Sequence, residues 1–290
     1  MQKIEILTKI KPIQNVLIGS DPEYIVRDLG TNEPKSVVGK LGGSKYDPIY
    51  IDKHMSYQED NVNVEFTVTP TTDPKEMLRE IHFLKDYCNN LLSKKGLVID
   101  MDTVSAEYSD EELNSDVAKT FGCSSSDDCW VLLTRESPDN TLNIRCAGGH
   151  FHISYDNPDY QTSMMLARAF DLYLGIPSLL LDKDTNRRKL YGLAGDVRLT
   201  GYGFEYRTLS NHITQEQEYL EYYFFQIFNA IEAVNNGLRL NDLEQANQIC
   251  NAINTYNIQQ AQYLMEQNKI ISFKEFMENY SIYTEKQITV

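Results

Sequence analysis

Between residues 62 and 96 the hydrophobic pattern changes its period from that of a strand to that of a helix, and this change constrains the fold most. Val62, Val64, Phe66 and Val68 alternate with polar residues, which predicts a strand with one buried face. Asp73-Pro74-Lys75-Glu76 then opens a helix, with Asp73 as N-cap, Pro74 in the first turn and Glu76 completing a capping box. Met77, Ile81, Leu84, Cys88 and Leu91 recur at helical spacing, so this helix lays one face on a core until Gly96 ends it. Further strands are expected over 15–26, with a break at Asp21-Pro22-Glu23, and over 97–106, 147–155 and 202–209. A Gly-rich connection covers 34–48, a loop 121–130, and a helix 161–174 that Gly175-Ile176-Pro177 should stop. After Asn211, Leu220, Phe224, Ile227, Ile231, Val234 and Leu238 mark a long amphipathic helix, followed by shorter Asn/Gln-rich helices. The fold class is therefore α+β, with antiparallel strands first and a helical closing segment last. Residues 1–213 form the expected main domain, and 214–290 the helical segment packed on it.

Charge narrows the function. The chain has 290 residues, with 27 Lys+Arg against 42 Asp+Glu, a net charge of −15. Its length suffices to bury a core without disulfides. A balance this acidic excludes a general nucleic-acid binder, which needs a basic surface, and suits a protein holding divalent cations. Five cysteines (Cys88, Cys123, Cys129, Cys146, Cys250) at irregular spacing predict reduced thiols rather than a disulfide framework. The opening MQKIEILTKIKP has no signal-peptide core, and the longest apolar stretch, Leu172 to Leu181, is interrupted by Gly175 and Pro177. A cytoplasmic protein with no membrane span is expected.

Several residues carry possible chemistry. Asp21 and Glu23 are two apart on one strand and share a face. Glu59, Asp60 and Glu65 form a second acidic group; Glu65 lies opposite in parity to the valines, on a face that suits either solvent or a site. His150 and His152 are also two apart, after Gly148-Gly149. Imidazoles beside several carboxylates suit Mg²⁺ or Mn²⁺ better than structural zinc. Residues 185–207 hold Arg187, Arg188, Lys189, Arg198 and Arg207 against Asp196 and Glu205, a local excess of +3 in an acidic chain. Arginines interleaved with glycines fit phosphate or carboxylate recognition, or else surface ion pairs. Glu205 and Arg207 share a strand face. GKLGGSK, residues 39–45, lacks the spacing of a phosphate-binding loop and is expected to be a flexible loop, one that could lie over a substrate.

The order of acid pair, acid cluster, H-x-H, Arg-rich loop and E-x-R resembles the glutamine synthetase and glutamate–cysteine ligase superfamily, and more closely the phage-encoded carboxylate–amine (COOH/NH2) ligases. The stretches that carry it are IGSDPEYIV, QEDNVNVEFTVTP, FGCSSSDD, RCAGGHFHIS, RRKLYGLAGDVR and YGFEYRTLS, from about residue 15 to beyond 210. The resemblance implies a glutamine synthetase-like curved antiparallel sheet flanked by helices, binding ATP and Mg²⁺ or Mn²⁺. It implies Asp21, Glu23, Glu59 or Asp60, Glu65, His150 and Glu205 as metal ligands, although Asp21 replaces the synthetase glutamate. His152, Arg187, Arg188, Arg198, Arg207 and Lys45 become nucleotide or carboxylate contacts, with Arg187, Arg198, Arg207 and His152 as the catalytic set. The implied reaction joins a small-molecule or peptide carboxylate to an amine through an acyl phosphate, in the host cytoplasm if the gene is a phage's. A guanidino kinase-like phosphotransferase and a non-catalytic binding protein are the alternatives on the same fold. The C-terminal helices are expected to pack on the sheet's convex side or to mediate self-association.

Overall fold

The computed structural model describes residues 3–119, 125–135 and 142–287. The strands are β1 (Leu17–Ser20), β2 (Glu23–Asp28), β3 (Pro34–Lys35), β4 (Ile49–Tyr50), β5 (Ser56–Asp60), β6 (Asn63–Thr67), β7 (Leu97–Asp100), β8 (Ser105–Glu107), β9 (Ser126–Asp128), β10 (Leu133–Arg135), β11 (Ile144–Cys146), β12 (Phe151–Ser154), β13 (Asp196–Thr200) and β14 (Gly203–Tyr206). The helices are α1 (Pro74–Leu92), α2 (Asp116–Lys119), α3 (Tyr160–Phe170), α4 (Ile176–Leu181), α5 (Gln217–Asn235), α6 (Leu243–Asn254), α7 (Ile258–Gln267), α8 (Phe273–Glu278) and α9 (Tyr280–Gln287). The α+β class holds, and every named strand pairing among the described residues is antiparallel.

Two larger sheets meet at the predicted break. One runs β1-β12-β14-β13-β9-β10; the other runs β3-β2-β6-β5-β4, with β7 also on β2. Pro22 has no N–H to give to a ladder, so the strand ends at Ser20 and resumes at Glu23. One broken strand thus supplies β1 to the first sheet and β2 to the second. Asp21 sits in the seam. On the face turned away from it, Phe151, Ile153, Phe204 and Tyr206 are buried. Phe170 of α3 lies 5.5 Å from the rings of both Phe204 and Tyr206, and Phe224 of α5 meets Phe151 edge-on at 6.1 Å. Helix α5 also packs on α1, whose Met77, Ile81, Leu84 and Cys88 are buried as their spacing predicts. One hydrophobic core takes side chains from Ile4 to Ile270.

Four local expectations change. The strand over 97–106 is two strands, β7 and β8. Part of the loop over 121–130 is β9, paired with β13 and β10; Phe121 to Ser124, with Cys123, lie outside the described residues. The four other cysteines are free and buried. Val62 is not a ladder residue: Asp60 pairs with Asn63, which leaves Asn61 and Val62 as a two-residue hairpin turn, with Asn61 at φ 56. Finally, Gly175 and Pro177 do not stop the helix, which continues from Tyr160 to Leu181. The residues Asp171–Gly175 form a wider π-turn in which the Ile176 N–H donates to the Asp171 carbonyl, and this re-routes the ladder ahead of the proline. Gly175 is there for close packing, since a Cβ would lie 2.8 Å from both Ile253 Cδ1 and Tyr206 Oη. This helix is long and apolar enough to cross a membrane, but 83% of its apolar window is buried inside the protein.

The π-turn also buries an acid. Asp171 accepts from Trp130 Nε1 (2.6 Å) and Tyr206 Oη (2.8 Å), yet burial pushes its carboxyl up from 3.8 to about 7. The unfolded chain releases this proton near 3.8 and the folded chain near 7. The group's contribution to stability is therefore fully present below about pH 4 and is lost as pH rises to about 7. The stability of the wild type relative to Asp171→Asn should fall over that window. Urea unfolding at several pH values checks this, and a flat difference would contradict it.

Candidate active site

The side chains singled out by sequence converge on the seam because the strand registers line them up. In the first sheet Gly19 pairs with His152, His152 with Glu205, and Glu205 with Arg198. In the second sheet Glu23 pairs with Glu65 and Glu65 with Gln58. Cross-strand partners share a face, so each sheet presents one row of polar side chains beside Asp21.

The histidine pair does share a face. Asp21 Oδ1 lies 3.2 Å from His150 Nδ1, and Asp21 Oδ2 lies 2.9 Å from His152 Nε2. Burial works against charge on Asp21, but the two imidazoles, His152 foremost, hold its carboxyl well below the usual range. Burial alone would push the His152 imidazole down; Asp21 beside it carries it up to about 10. Its Nδ1 bonds Tyr202 Oη at 2.6 Å, a contact the sequence reading missed. The glycine pair before the histidines has steric causes. A Cβ on Gly148 would lie 2.5 Å from His150 Nε2, and one on Gly149 only 2.2 Å from the Ser210 carbonyl. The Gly148 N–H also donates to Glu23 Oε2 at 3.0 Å.

Glu205 is fully buried between Arg198 and Arg207, with His150 Nδ1 at 3.3 Å. It is already neutralised. Glu23, Asp60 and Glu65 are not neutralised in this way. Burial, then repulsion from Glu23, raises Asp60 from 3.8 to about 7, with Lys45 working the other way. Burial, then the charges of Asp21, Asp60 and Glu23, raises Glu65 well above the usual range. Carboxylates crowded like this repel one another, and a divalent cation would relieve the repulsion. One ligand atom from each of Glu23, Asp60 and Glu65 lies within 4.8 Å of the others, and the same holds for Asp21, His152 and Glu205. Hard oxygen donors with one imidazole fit Mg²⁺ or Mn²⁺.

Two predicted residues leave the site. Glu59 and Asp60 are neighbours on β5, so they point to opposite faces. Asp60 joins the acids, while Glu59 accepts hydrogen bonds from the loop at 39–42 and reaches no ligand group. Arg188 is buried elsewhere: it donates to the Gly192 carbonyl (3.1 Å) and Ser178 Oγ (3.0 Å), with the Tyr256 ring 6.0 Å away. The phosphate role implied for Arg188 is thus replaced by a bond across its own loop. Arg187 does line the site, but its two Nη atoms hold the Thr208 (2.8 Å) and Arg207 (3.0 Å) carbonyls. It fixes the strand end that carries Arg207.

Two clefts open at the seam and share Glu23, Asp60, His150 and Arg207. The first adds Asn63, Arg145, Arg187 and Tyr191; the second adds Asp21, Lys45, Gln58, Glu65 and Arg198. Asn63 shares the Glu65 face as strand parity predicts, whereas Gln58, across the hairpin from Glu65, went unnoticed in the sequence. Gln58 Nε2 donates to Glu65 Oε1 at 3.1 Å.

Comparison with known families finds one match, to a carboxylate–amine ligase family, over part of the chain. Residues 140–270, from just before the histidine pair into the C-terminal helices, match the family described as Phage phiEco32-like COOH.NH2 ligase-type 2, the kind of ligase the motifs resemble. The acids of β2, β5 and β6 lie outside the matched stretch. No curated protein matches the chain. Among solved structures it is similar to a ligand-free GmaS (11% identity, TM-score 0.40, covering 90% of this chain and 71% of the other). It is also similar to a novel glutamine synthase homolog (11% identity, TM-score 0.36, covering 92% and 70%). Both are loose likenesses, and no residue is matched across them.

Proposed function

We propose that this protein is an ATP- and Mg²⁺-dependent ligase that joins a carboxylate to an amine through an acyl phosphate. The observation that carries the reading is the crowded acid group of Glu23, which is buried, with Asp60 and Glu65, which are half-buried, beside Arg207, Arg198 and Lys45 in one cleft. Glu23, Asp60 and Glu65 would hold one divalent ion, and Asp21, His152 and Glu205 a second. Such ions neutralise charge that accumulates on phosphoryl oxygens in transit. The chain's own contribution is positional. Glu205 holds Arg198 and Arg207 side by side, where their guanidinium groups meet phosphate or carboxylate oxygens. His150 and Tyr202 fix Asp21 and His152. Bringing the acid and amine together supplies much of the remaining rate. Residues 1–213 carry this site in the proposal, and 214–290 support its sheet from behind.

Calorimetric titration with a non-hydrolysable ATP analogue and Mg²⁺ tests the reading, followed by phosphate-release assays with pooled acids and amines. Binding that requires the metal is expected, and amide-containing products with free phosphate. Absence of nucleotide binding, or phosphate retained on an acceptor, would overturn it.

A further inference from the structure

Glu59 is the acid that strand parity turned away from the site, and its carboxylate is nevertheless fully engaged. Oε2 accepts from the Gly39 N–H at 2.7 Å. Oε1 accepts from Lys40 at 3.0 Å, Leu41 at 2.7 Å and Gly42 at 2.6 Å. Four consecutive amides therefore converge on one anion. Gly39, Gly42 and Gly43 have φ of 71, 88 and 79, and this left-handed backbone curls the loop around the carboxylate. Successive amides aimed inward form a nest of the kind that binds anionic oxygen in phosphate loops. Here the protein's own side chain fills it, which agrees with a loop whose spacing is not that of a phosphate-binding loop.

The filled nest has a direction. Gly43 lies flat on β5, because a Cβ there would come within 3.1 Å of the Tyr57 carbonyl and 3.2 Å of Gln58 Cα. Two residues further on, Lys45 lines the second cleft with Asp21, Glu23 and Asp60, and its charge is felt by Asp60. The near end of the loop is tied as well. The Ser36 N–H donates to Glu112 Oε2 at 2.7 Å, and Lys95 Nζ donates to the Lys40 carbonyl at 2.6 Å. Of the loop's side chains, only Lys45 reaches into the acid cleft.

We propose that Glu59 is a positioning residue: its carboxylate fills the amide nest of residues 39–42 and so fixes Lys45 at the mouth of the acid cleft, to meet anionic oxygens of the substrate. Naming those oxygens as phosphate rests on the ligase reading; the positioning itself does not.

The experiment has two arms. Hydrogen exchange and the rate of Lys45 acylation by an amine-reactive reagent are measured in the wild type, Glu59→Gln and Glu59→Asp. A carboxylamide offers one acceptor oxygen instead of two charged ones. Amides 39–42 should therefore exchange about tenfold faster in Glu59→Gln, with an intermediate change in Glu59→Asp, and Lys45 should be acylated severalfold faster. Should Glu59→Gln fail to fold, Glu59→Asp alone reads the effect. Unchanged exchange at 39–42, or unchanged Lys45 reactivity, in a folded variant overturns the proposal. In the second arm, affinity for Mg²⁺ with a non-hydrolysable ATP analogue is measured for Glu59→Gln, Lys45→Ala and the double variant. Each single variant should lose about tenfold, and the double no more than Lys45→Ala alone, since Glu59 acts through Lys45. Additive losses overturn the proposal. A wild type that binds no nucleotide instead sinks the ligase reading and leaves the first arm to decide.

Discussion

Glu205→Ala is expected to destabilise the protein by about 3–5 kcal/mol and to abolish activity, because it strips a fully buried carboxylate in contact with two guanidinium groups. Glu205 has no exposed surface, Arg207 is 7% exposed at its side chain and Arg198 33%. Removing the acid brings two cations together beside His150 without the carboxylate between them, although Asp196 Oδ1 stays 3.9 Å from Arg207 Nε. Glu205→Gln should keep more of the stability, since the amide retains one acceptor for Arg207. It should still lose metal affinity, because one ligand charge of the Asp21·His152·Glu205 group is gone. Urea denaturation and Mn²⁺ titration separate the two effects. If Glu205→Ala unfolds within about 1 kcal/mol of the wild type, the arginines are not held by this acid.

Glu65→Gln should have the opposite balance, with little change in metal-free stability and a loss of divalent-ion affinity of about a hundredfold or more. The reason is the protonation state. Burial and the neighbouring acids hold the Glu65 proton well above the usual carboxylate range, so a neutral glutamine resembles what the metal-free protein already contains. Asp60, raised to about 7, behaves in the same way. Its contribution to metal-free stability is present below 3.8 and lost as pH rises through about 7. A bound cation must displace these protons, so wild-type metal affinity should climb from pH 6 to pH 8, and Mn²⁺ should raise the melting temperature more at the higher pH. In Glu65→Gln that metal-induced rise should vanish. A variant that still gains stability from Mn²⁺ as the wild type does would remove Glu65 from the ligand set. Crowded acids that weaken the empty protein and serve the loaded one are a common cost of function.

How much of this was legible depends on the range of the interactions involved. Asp21-Pro22-Glu23 announced a strand break carrying two acids on one face, and H-x-H announced two imidazoles on one face, because side-chain alternation is a property of the strand itself. The capped helix α1 was equally readable, since its cap and its apolar stripe lie within a few turns of each other. The helix from Tyr160 to Leu181 was misread at Gly175 and Pro177 because a glycine-proline stop can be overridden by a change in the preceding turn and by packing. Here the π-turn accommodates the proline, and Ile253 and Tyr206, distant in sequence, require the glycine.

The arginines show the same limit. Arg187 and Arg188 are adjacent in one 3-10 turn, and nothing local separates a residue lining the cleft from one bonded to Ser178 and Gly192. Glu59 and Asp60 differ only in parity, which the Asp60–Asn63 pairing of the hairpin fixes. Sequence alone therefore determined which residue types could share a face and the order of the motifs, because side-chain alternation and helical period are short-range properties of strands and helices. Only the tertiary structure decided which acid of a neighbouring pair enters the site, which arginine lines the cleft, and that the glycine loop closes on Glu59. Those choices depend on strand register and on burial against residues far along the chain.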